Sequence, residues 1–266
     1  MLDQITPVLL TFNEEANIGR SLEHLRWARD IVIVDSGSVD RTVDIARSVP
    51  QVRVFVRTFD SHSNQWNFAT RETGITSEWI LALDADYMAS DAVIEEISNL
   101  DSAASINGYS AAFTYCVSGV PLRGSLYPPV TVLFRRTKGM FYQDGHTQRL
   151  TLDGTSAMLR NKLLHDDRKS LSHWLAAQDR YMRLEAANIV TRAWSELSAA
   201  DRIRRLALLA PFAVFANCYF LKRGCLDGSA GLYYALQRTL SEALLALRIL
   251  ELRVNALNCG PSNNAS

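Results

Sequence analysis

The chain has 266 residues, of which 48% are hydrophobic and 21% are charged. This composition is typical of a globular protein and excludes an intrinsically disordered chain. Lys plus Arg and Asp plus Glu each total 28, so the formal net charge is zero, which argues against a nucleic-acid partner.

The zero net charge conceals an asymmetry between two halves of the chain. Residues 1–150 carry 13 basic and 18 acidic side chains, whereas residues 151–266 carry 15 and 10. We therefore expect the two halves to meet different partners. Cys116, Cys218, Cys225 and Cys259 lie far apart and form no C-x-x-C pair, which favours a reducing compartment. No signal peptide is expected, and a cytoplasmic location is predicted.

The first hundred residues alternate between strand and helix patterns. Short apolar runs predict strands at 7–12, 31–34, 52–56 and 79–83, and helical periodicity predicts helices at 16–28, 40–48 and 66–73. This alternation predicts an α/β fold with a mostly parallel sheet and helices on both faces. In such sheets, ligands bind beyond the carboxyl ends of the strands.

Polar clusters follow three of these strands, at residues 13–15 (Asn-Glu-Glu), 35–37 (Asp-Ser-Gly) and 84–86 (Asp-Ala-Asp). Two carboxylates one residue apart, Asp84 and Asp86, are able to bind a divalent cation that in turn binds a diphosphate. The alternative for this pair is two solvated turn aspartates. Asp35 is a candidate acceptor for a base or ribose, although the same segment also fits a plain turn. The spacing matches neither a dinucleotide fingerprint nor a P-loop.

The remainder of the chain has a different character. Residues 109–117 and 130–134 are strand-like, and Arg135 and Arg136 at the second strand's end either face an anionic ligand or are solvated. The chain is mostly helical from 170 onward, with a last helix predicted over 231–254. The apolar stretch 206–221 is too short to span a membrane. With basic residues on both sides, it is interpreted either as a segment at an anionic membrane surface or as a core or dimer helix.

Several segments together resemble one protein family. They are TFNEE at 11–15, VDSGSVDRT at 34–42, QWNFA at 65–69, LDAD at 83–86 and YFLKRGCLDG at 219–228. This set resembles the inverting family 2 glycosyltransferases of GT-A fold, in particular bacterial enzymes that add a sugar to the lipopolysaccharide core. The resemblance is specific over 5–90 and looser to about 170. It implies a GT-A domain over 1–168 and a helical region over 169–266 that associates with membrane or dimerises.

The resemblance also implies roles for individual residues. The implied nucleotide-sugar pocket consists of Thr11, Asn13, Glu14, Asp35, Gln65, Asn67 and Asp84. Asp86 and His165 would hold a divalent metal, Mn²⁺ or Mg²⁺, on the diphosphate; the alternative for His165 is an ordinary surface or core histidine.

The general base is the least defined of these roles. Inverting transfer requires a carboxylate that deprotonates the acceptor hydroxyl. Related proteins often have His-Glu where this chain has His146-Thr147. Asp144 is the first choice for the base, and Asp166 and Asp167 are alternatives.

The expected function is metal-dependent, inverting transfer of a sugar from a UDP-sugar to a saccharide on a lipid carrier or lipopolysaccharide core. The protein would act at the inner face of the membrane, and a homo-oligomer is possible. One alternative is transfer to a protein or a small molecule. Another is a binding protein that kept the nucleotide pocket but lost turnover.

Overall fold

The computed structural model describes residues 1–101, 105–144 and 147–258, without the side chains of residues 144, 147, 257 and 258. The chain divides into two compact units, Met1–Lys169 and Ser170–Ser266. His146 and Cys259 lie outside the described residues.

The first unit is built on β-sheets. Its strands are β1 (Ile5–Thr11), β2 (Ile31–Asp35), β3 (Val52–Val56), β4 (Trp79–Asp84), β5 (Tyr87–Met88), β6 (Ile106–Ala111), β7 (Phe113–Val117), β8 (Val120–Pro121), β9 (Val130–Arg135), β10 (Gly139–Asp144), β11 (Thr147–Leu152), β12 (Thr155–Met158) and β13 (Leu163–His165). Within the described residues, seven strands form the main sheet in the order β12-β6-β9-β4-β1-β2-β3. Strands β3, β2, β1 and β4 are mutually parallel, which confirms the predicted α/β class.

Strands β1, β2 and β4 are buried on both faces because helices cover the sheet, whereas the edge strand β3 is half-buried. The helices of this unit are α1 (Ile18–Glu23), α2 (Thr42–Arg47), α3 (His62–Arg71) and α4 (Asp91–Ser98). In register, Thr11 lies beside Asp35 and Leu10 lies beside Asp84, so the three polar clusters meet at one edge. Helix α3 begins earlier than predicted because the Ser61 hydroxyl accepts a hydrogen bond from the Asn64 N–H at 3.2 Å.

The segment 109–117 is two strands rather than one. Strand β6 stays in the main sheet, whereas β7 joins a smaller sheet in the order β5-β13-β7-β8. Strands β10 and β11 form a separate antiparallel hairpin. The smaller sheet brings β13 beside β5, which directly follows the Asp84–Asp86 cluster.

The structure places Arg135 away from the strand-end clusters, so the option that it faces an anionic ligand bound there is wrong. Strand β9 runs antiparallel to β4, and Arg135 pairs in register with Trp79 at the beginning of β4. Its guanidinium lies over the Trp79 ring at 4.6 Å and forms an ion pair with Glu78. The sequence predicts the strand but not its direction.

The main elements of the second unit are all helices. These are α5 (Leu171–Thr191), α6 (Ala199–Arg205), α7 (Ala210–Ala216) and α8 (Gly228–Asn258). The apolar stretch 206–221 is not one α-helix. Helix α7 forms its middle part, and a π-helical turn at Asn217–Leu221 forms its end. Gly231 packs so closely on Gly224 that a Cβ atom would lie 2.0 Å from the Gly224 carbonyl oxygen. Across the described residues, no helix combines the length and the apolar character that crossing a membrane requires.

Candidate functional site

The carboxylate of Asp35 organises the loop that follows β2. One oxygen accepts hydrogen bonds from the N–H groups of Gly37 (3.0 Å) and Ser38 (2.8 Å). The other accepts from the hydroxyls of Thr11 (2.8 Å) and Ser38 (2.6 Å). Gly37 has φ +91°, which glycine adopts without strain. Asp35 is 1% exposed, so its carboxylate is buried beneath the loop that it organises.

Asn13 joins the loop after β1 to the loop after β2. Its N–H donates to the Ser38 hydroxyl at 2.8 Å, and its side-chain oxygen accepts from the Val39 N–H at 3.0 Å. Asn13 has φ +54°, a left-handed conformation that asparagine tolerates better than most residues. The two loops thus form one hydrogen-bonded rim at the carboxyl edge of the sheet.

Asp86 and His165 meet at the end of β4. His165 pairs in register with Tyr87, the residue after Asp86, across the antiparallel β5–β13 ladder. This pairing brings the His165 Nε2 atom to 3.1 Å from an Asp86 carboxylate oxygen. Both side chains are largely buried. The structure therefore brings together the two residues that the resemblance implies as metal ligands.

The electrostatics of this cluster follow from burial and from close charges. Burial, and then the charge of Asp86, raise the pKa of Asp84 to about 6. Burial alone would raise the pKa of Asp86, but the charge and hydrogen bond of His165 outweigh it and hold that pKa below its ordinary value. In the same way, burial would lower the pKa of His165, but Asp86 and Asp84 raise it. Each member of the pair therefore favours the charged form of the other.

The Asp86–His165 pair fits a metal ion that takes two ligands from the protein and the remainder from phosphate oxygens and water. Among the described residues, no three or more His, Cys, Asp or Glu side chains are arranged to hold a metal ion. Asp86 and His165 offer two ligands of types that Mn²⁺ accepts. The His165 Nδ1 atom is buried and has no hydrogen-bond partner in the described part of the chain. Cations that act on phosphates commonly use one or two carboxylates, with phosphate oxygens and water completing the shell.

Glu14 forms an ion pair with Lys169 that the sequence does not reveal. The Lys169 Nζ atom lies 2.5 Å from one Glu14 carboxylate oxygen, and the Asn17 amide donates to the other at 2.8 Å. Burial raises the pKa of Glu14 to about 7; the ammonium of Lys169 opposes this rise, whereas the charge of Asp86 adds to it. Lys169 is therefore a cation close enough to both the Glu14 and the Asp86 carboxylates to lower the pKa of each.

Asp166 is held in a buried ion-pair network. Its carboxylate accepts from Arg20 Nη1 at 2.9 Å, from Arg168 Nε at 2.7 Å and from the Gly119 N–H at 3.1 Å. The carboxylate is 3% exposed. Its oxygens are occupied by these three donors, which argues against Asp166 as the base. Asp167, the other alternative, accepts from the Asn17 amide at 2.8 Å.

Asp144, the first choice for the base, is the last residue of β10, and its side chain lies outside the described part of the structure. Its backbone pairs in register with Thr147 at the end of the β10–β11 hairpin.

An aromatic cluster surrounds His165. The rings of Tyr127, Tyr115 and Tyr87 lie 4.5, 4.7 and 5.1 Å from the imidazole, centroid to centroid. The hydroxyls of Tyr87 and Tyr127 bond each other. Desolvation is the main cause that raises the pKa of Tyr127 and of Tyr87 above the ordinary value. The sequence gives no signal for this cluster, since its members come from separate strands and a loop.

Gln65 and Asn67 have structural roles. Gln65 donates to the Ser36 hydroxyl at 2.9 Å and accepts from Arg57 at 2.6 Å, which ties α3 to the loop after β2. The Asn67 amide donates to the Phe141 carbonyl at 2.8 Å and accepts from the Phe141 N–H at 3.0 Å. Asn67 therefore anchors β10 on α3, and both its polar atoms are bonded there.

Comparison with known families identifies this arrangement. The family model described as Glycosyl transferase family 2 matches residues 7–166, more than half of the chain. The matched range contains the loops after β1, β2 and β4 and ends at Asp166, just after His165. The GT-A fold and the family resemblance predicted from the motifs are confirmed.

Two curated relatives illustrate how far the similarity extends. The lipopolysaccharide core biosynthesis glycosyltransferase LpsC of Rhizobium meliloti is 24% identical over 261 residues, which cover 93% of this chain and 92% of that protein. An uncharacterized glycosyltransferase of Rickettsia typhi is 30% identical over 111 residues, 41% of this chain. The match spans 37% of the length of the Rickettsia protein.

Solved structures show a distant likeness. S. aureus TarS 1–349 is 14% identical, covering 94% of this chain and 91% of that one, with a TM-score of 0.47. Glucosyl-3-phosphoglycerate synthase from Mycobacterium tuberculosis, in complex with Mn²⁺, UDP and phosphoglyceric acid, is 17% identical, covering 70% and 77%, with a TM-score of 0.47.

Proposed function

This chain belongs to glycosyl transferase family 2, and from that premise we propose that it transfers a sugar from a UDP-sugar to a saccharide acceptor with inversion. The observation that carries the proposal is the contact of Asp86 with His165 at the carboxyl end of β4. It supplies a carboxylate and an imidazole where the loops after β1 and β2 also converge. A diphosphate with its cation suits this combination of charges.

The donor pocket would lie over the hydrogen-bonded rim of the two loops. Thr11, Asn13 and Asp35 keep this rim in shape, and Gln65 supports it from α3. Glu14 and Asp84 would contact the nucleotide directly, since Asp84 ends β4 and Glu14 lies just after β1 at this edge. In this arrangement Asp35 acts mainly by positioning the backbone N–H groups of the loop, and Asn67 acts by placing β10.

Asp86 and His165 would hold a divalent cation, Mn²⁺ or Mg²⁺, on the diphosphate. When bound, such an ion supplies Lewis-acid stabilisation of the departing diphosphate. Imidazole ligates a metal only in its neutral form, so His165 would hold the ion as neutral imidazole. Lys169 also favours cation binding by Asp86, because its ammonium lowers the pKa of Asp86 and keeps this carboxylate charged.

Asp144 is proposed as the general base. The Asp166 carboxylate is occupied by Arg20 and Arg168, so Asp144 stays the first choice and Asp167 the alternative. A carboxylate in this role takes the proton from the acceptor hydroxyl as that oxygen attacks the anomeric carbon.

The acceptor is proposed to be a saccharide on a lipid or on lipopolysaccharide core, met at the inner face of the membrane. The similarity to LpsC along nearly the whole chain supports this acceptor class. Phe212, Phe220 and Leu221 are 71%, 61% and 79% exposed, and Lys222 and Arg223 follow them with exposed side chains. Exposed apolar side chains beside cations are suited to an anionic lipid surface.

Slow hydrolysis of a panel of UDP- and GDP-sugars, with and without Mn²⁺, tests the proposed activity. Metal-dependent release of UDP from one sugar donor is the expected result, and that donor then serves in acceptor assays with lipopolysaccharide core fragments. UDP binding without any turnover on the panel and its acceptors would favour a binding protein over a transferase. Turnover only with protein or small-molecule acceptors would reject the lipid-linked saccharide.

Flotation with vesicles tests the membrane contact separately. The protein should float with vesicles rich in anionic lipid and not with neutral ones, and high salt should weaken this binding. Phe212→Glu with Leu221→Glu should abolish flotation. If the doubly substituted protein floats as the native one does, these residues are not the contact surface.

A further inference from the structure

Helix α8 has two apolar faces, and the second unit covers one of them. Leu245 and Ile249 are buried in a cluster with Ala186 and Ile189 of α5. On the same side, the Glu242 carboxylate accepts from Arg204 of α6 at 2.8 Å. These contacts fix the orientation of α8 about its own axis.

The other face of α8 is an uninterrupted apolar stripe that is open to solvent. Its exposed members are Tyr233, Leu236, Leu240, Leu247, Leu250 and Val254, each between 40% and 63% exposed. The half-buried Ala243 fills the one remaining position of the series. We call these seven residues the α8 stripe.

The spacing of the α8 stripe is that of a coiled-coil seam. Successive members are separated by 3, 4, 3, 4, 3 and 4 residues, which are the a and d positions of three consecutive heptads. At 1.5 Å per residue the stripe is about 32 Å long. A seam this narrow and regular matches the groove of another helix, and apolar heptads sustained over this length are typical of coiled coils.

The side chains that flank the α8 stripe favour a helix over a lipid surface as its partner. The positions that flank the stripe, 237, 239, 244, 246, 251 and 253, hold Gln, Thr, Leu, Ala, Glu and Arg. A helix that lies on an anionic membrane usually carries many Lys and Arg residues beside its apolar face. One acidic and one basic flanking side chain, Glu251 and Arg253, give the stripe no net charge to meet anionic lipid.

We propose that the α8 stripe is a homodimer interface, in which α8 of one copy packs against α8 of a second copy of this chain. Identical stripes are self-complementary in spacing, and the opposite signs of Glu251 and Arg253 avoid a uniform like-charge flank. Ala243 at the centre lets two helix backbones approach closely. With about half of each large side chain exposed, two stripes would bury on the order of 1,000 Å², which reaches the lower size range of specific interfaces.

Sedimentation velocity of the full chain in detergent-free buffer, over a wide range of protein concentrations, tests the proposal. The native chain should sediment as a dimer of its 29.7 kDa monomer and dissociate on dilution. Leu247→Glu places a carboxylate from each copy in the seam and should raise the dimer dissociation constant on the order of 100-fold or more. Leu247→Met keeps the apolar surface and should remain dimeric.

Leu252→Glu is the matched control, because Leu252 is an exposed leucine of the same helix outside the stripe. It should leave the dimer intact, and circular dichroism should show native helix content for every variant. A native chain that is monomeric at all concentrations overturns the proposal. So does a dimer that Leu247→Glu leaves unchanged, or one that Leu252→Glu disrupts equally. Loss of vesicle flotation in Leu247→Glu without any change in mass would assign the stripe to a membrane instead.

Discussion

The Nε2 atom of His165 lies 3.1 Å from a carboxylate oxygen of Asp86, although 79 residues separate the two positions in the chain. The contact depends on the β5–β13 ladder, which sets His165 opposite Tyr87. The rings of Tyr127, Tyr115 and Tyr87 pack against the imidazole and limit its movement. A carboxylate and an imidazole are therefore held in place before any ligand arrives, which lowers the entropic cost of binding one.

Asp86→Ala should remove the metal-dependent part of UDP binding. Calorimetry with UDP and Mn²⁺ should show affinity reduced on the order of 100-fold, because one of two protein ligands to the metal is lost. Asp91→Ala, which changes an exposed aspartate at the start of α4, should bind as the native chain does. Equal UDP affinity in Asp86→Ala and the native protein would reject the metal role.

Glu14→Gln should alter how stability depends on pH. Since burial raises the folded pKa of Glu14 from 4.5 to about 7, the folded chain holds this proton more tightly than the unfolded chain. Its contribution to stability is therefore fully present below pH 4.5 and is lost as pH rises through 7, by up to about 3 kcal/mol.

Urea unfolding in EDTA between pH 4.5 and 8 measures this effect. The free energy of unfolding of the native chain should fall more steeply with pH than that of Glu14→Gln. Identical slopes for the two proteins would show that the Glu14 pKa is not raised in the folded state.

Asp144→Asn should lower kcat for transfer by roughly 10²- to 10⁴-fold, the usual contribution of a general base. The KM for the donor and the thermal midpoint should change little, because the substitution keeps the size of the side chain. Steady-state kinetics with a saturating acceptor measures both constants. Full activity in Asp144→Asn would move the base to another carboxylate.

Asp166→Ala should lower the free energy of unfolding, since it leaves the guanidinium of Arg20 and the N–H of Gly119 without their buried acceptor. Because both arginine side chains are partly exposed, the loss of their buried acceptor is expected to cost about 1–3 kcal/mol. Urea unfolding should show this loss. Asp153→Ala, which breaks an exposed ion pair with Lys138, should cost less than about 1 kcal/mol. A fully stable but inactive Asp166→Ala would instead make Asp166 the base.

The core of the site was predictable because its signals are local. Strands β1, β2 and β4 are short apolar runs, and each is followed directly by a polar cluster. Parallel strands bring their carboxyl ends to one edge, so Asp35 and Asp84 had to lie near the residues after β1. The identity of His165 as a partner of Asp86 came only from the family resemblance, since no spacing along the chain connects them.

Other features depended on how distant segments pair. The direction of β9 sets Arg135 beside Trp79, although a strand pattern reads the same in both directions. Asn67 bonds the backbone of Phe141, and Lys169 bonds Glu14 across 155 positions. Such polar contacts have no periodicity, so composition and spacing cannot reveal them.

The amino-acid sequence by itself determined the alternation of strands and helices, the polar clusters at three strand ends and the heptad spacing of α8, because each is a pattern of neighbouring residues. Only the tertiary structure decided which charges meet. It buried Asp35 beneath the loop it organises, set Asp86 against His165 and tied Asp166 to Arg20. It also left the α8 stripe exposed, because the opposite face of the helix packs within its own unit.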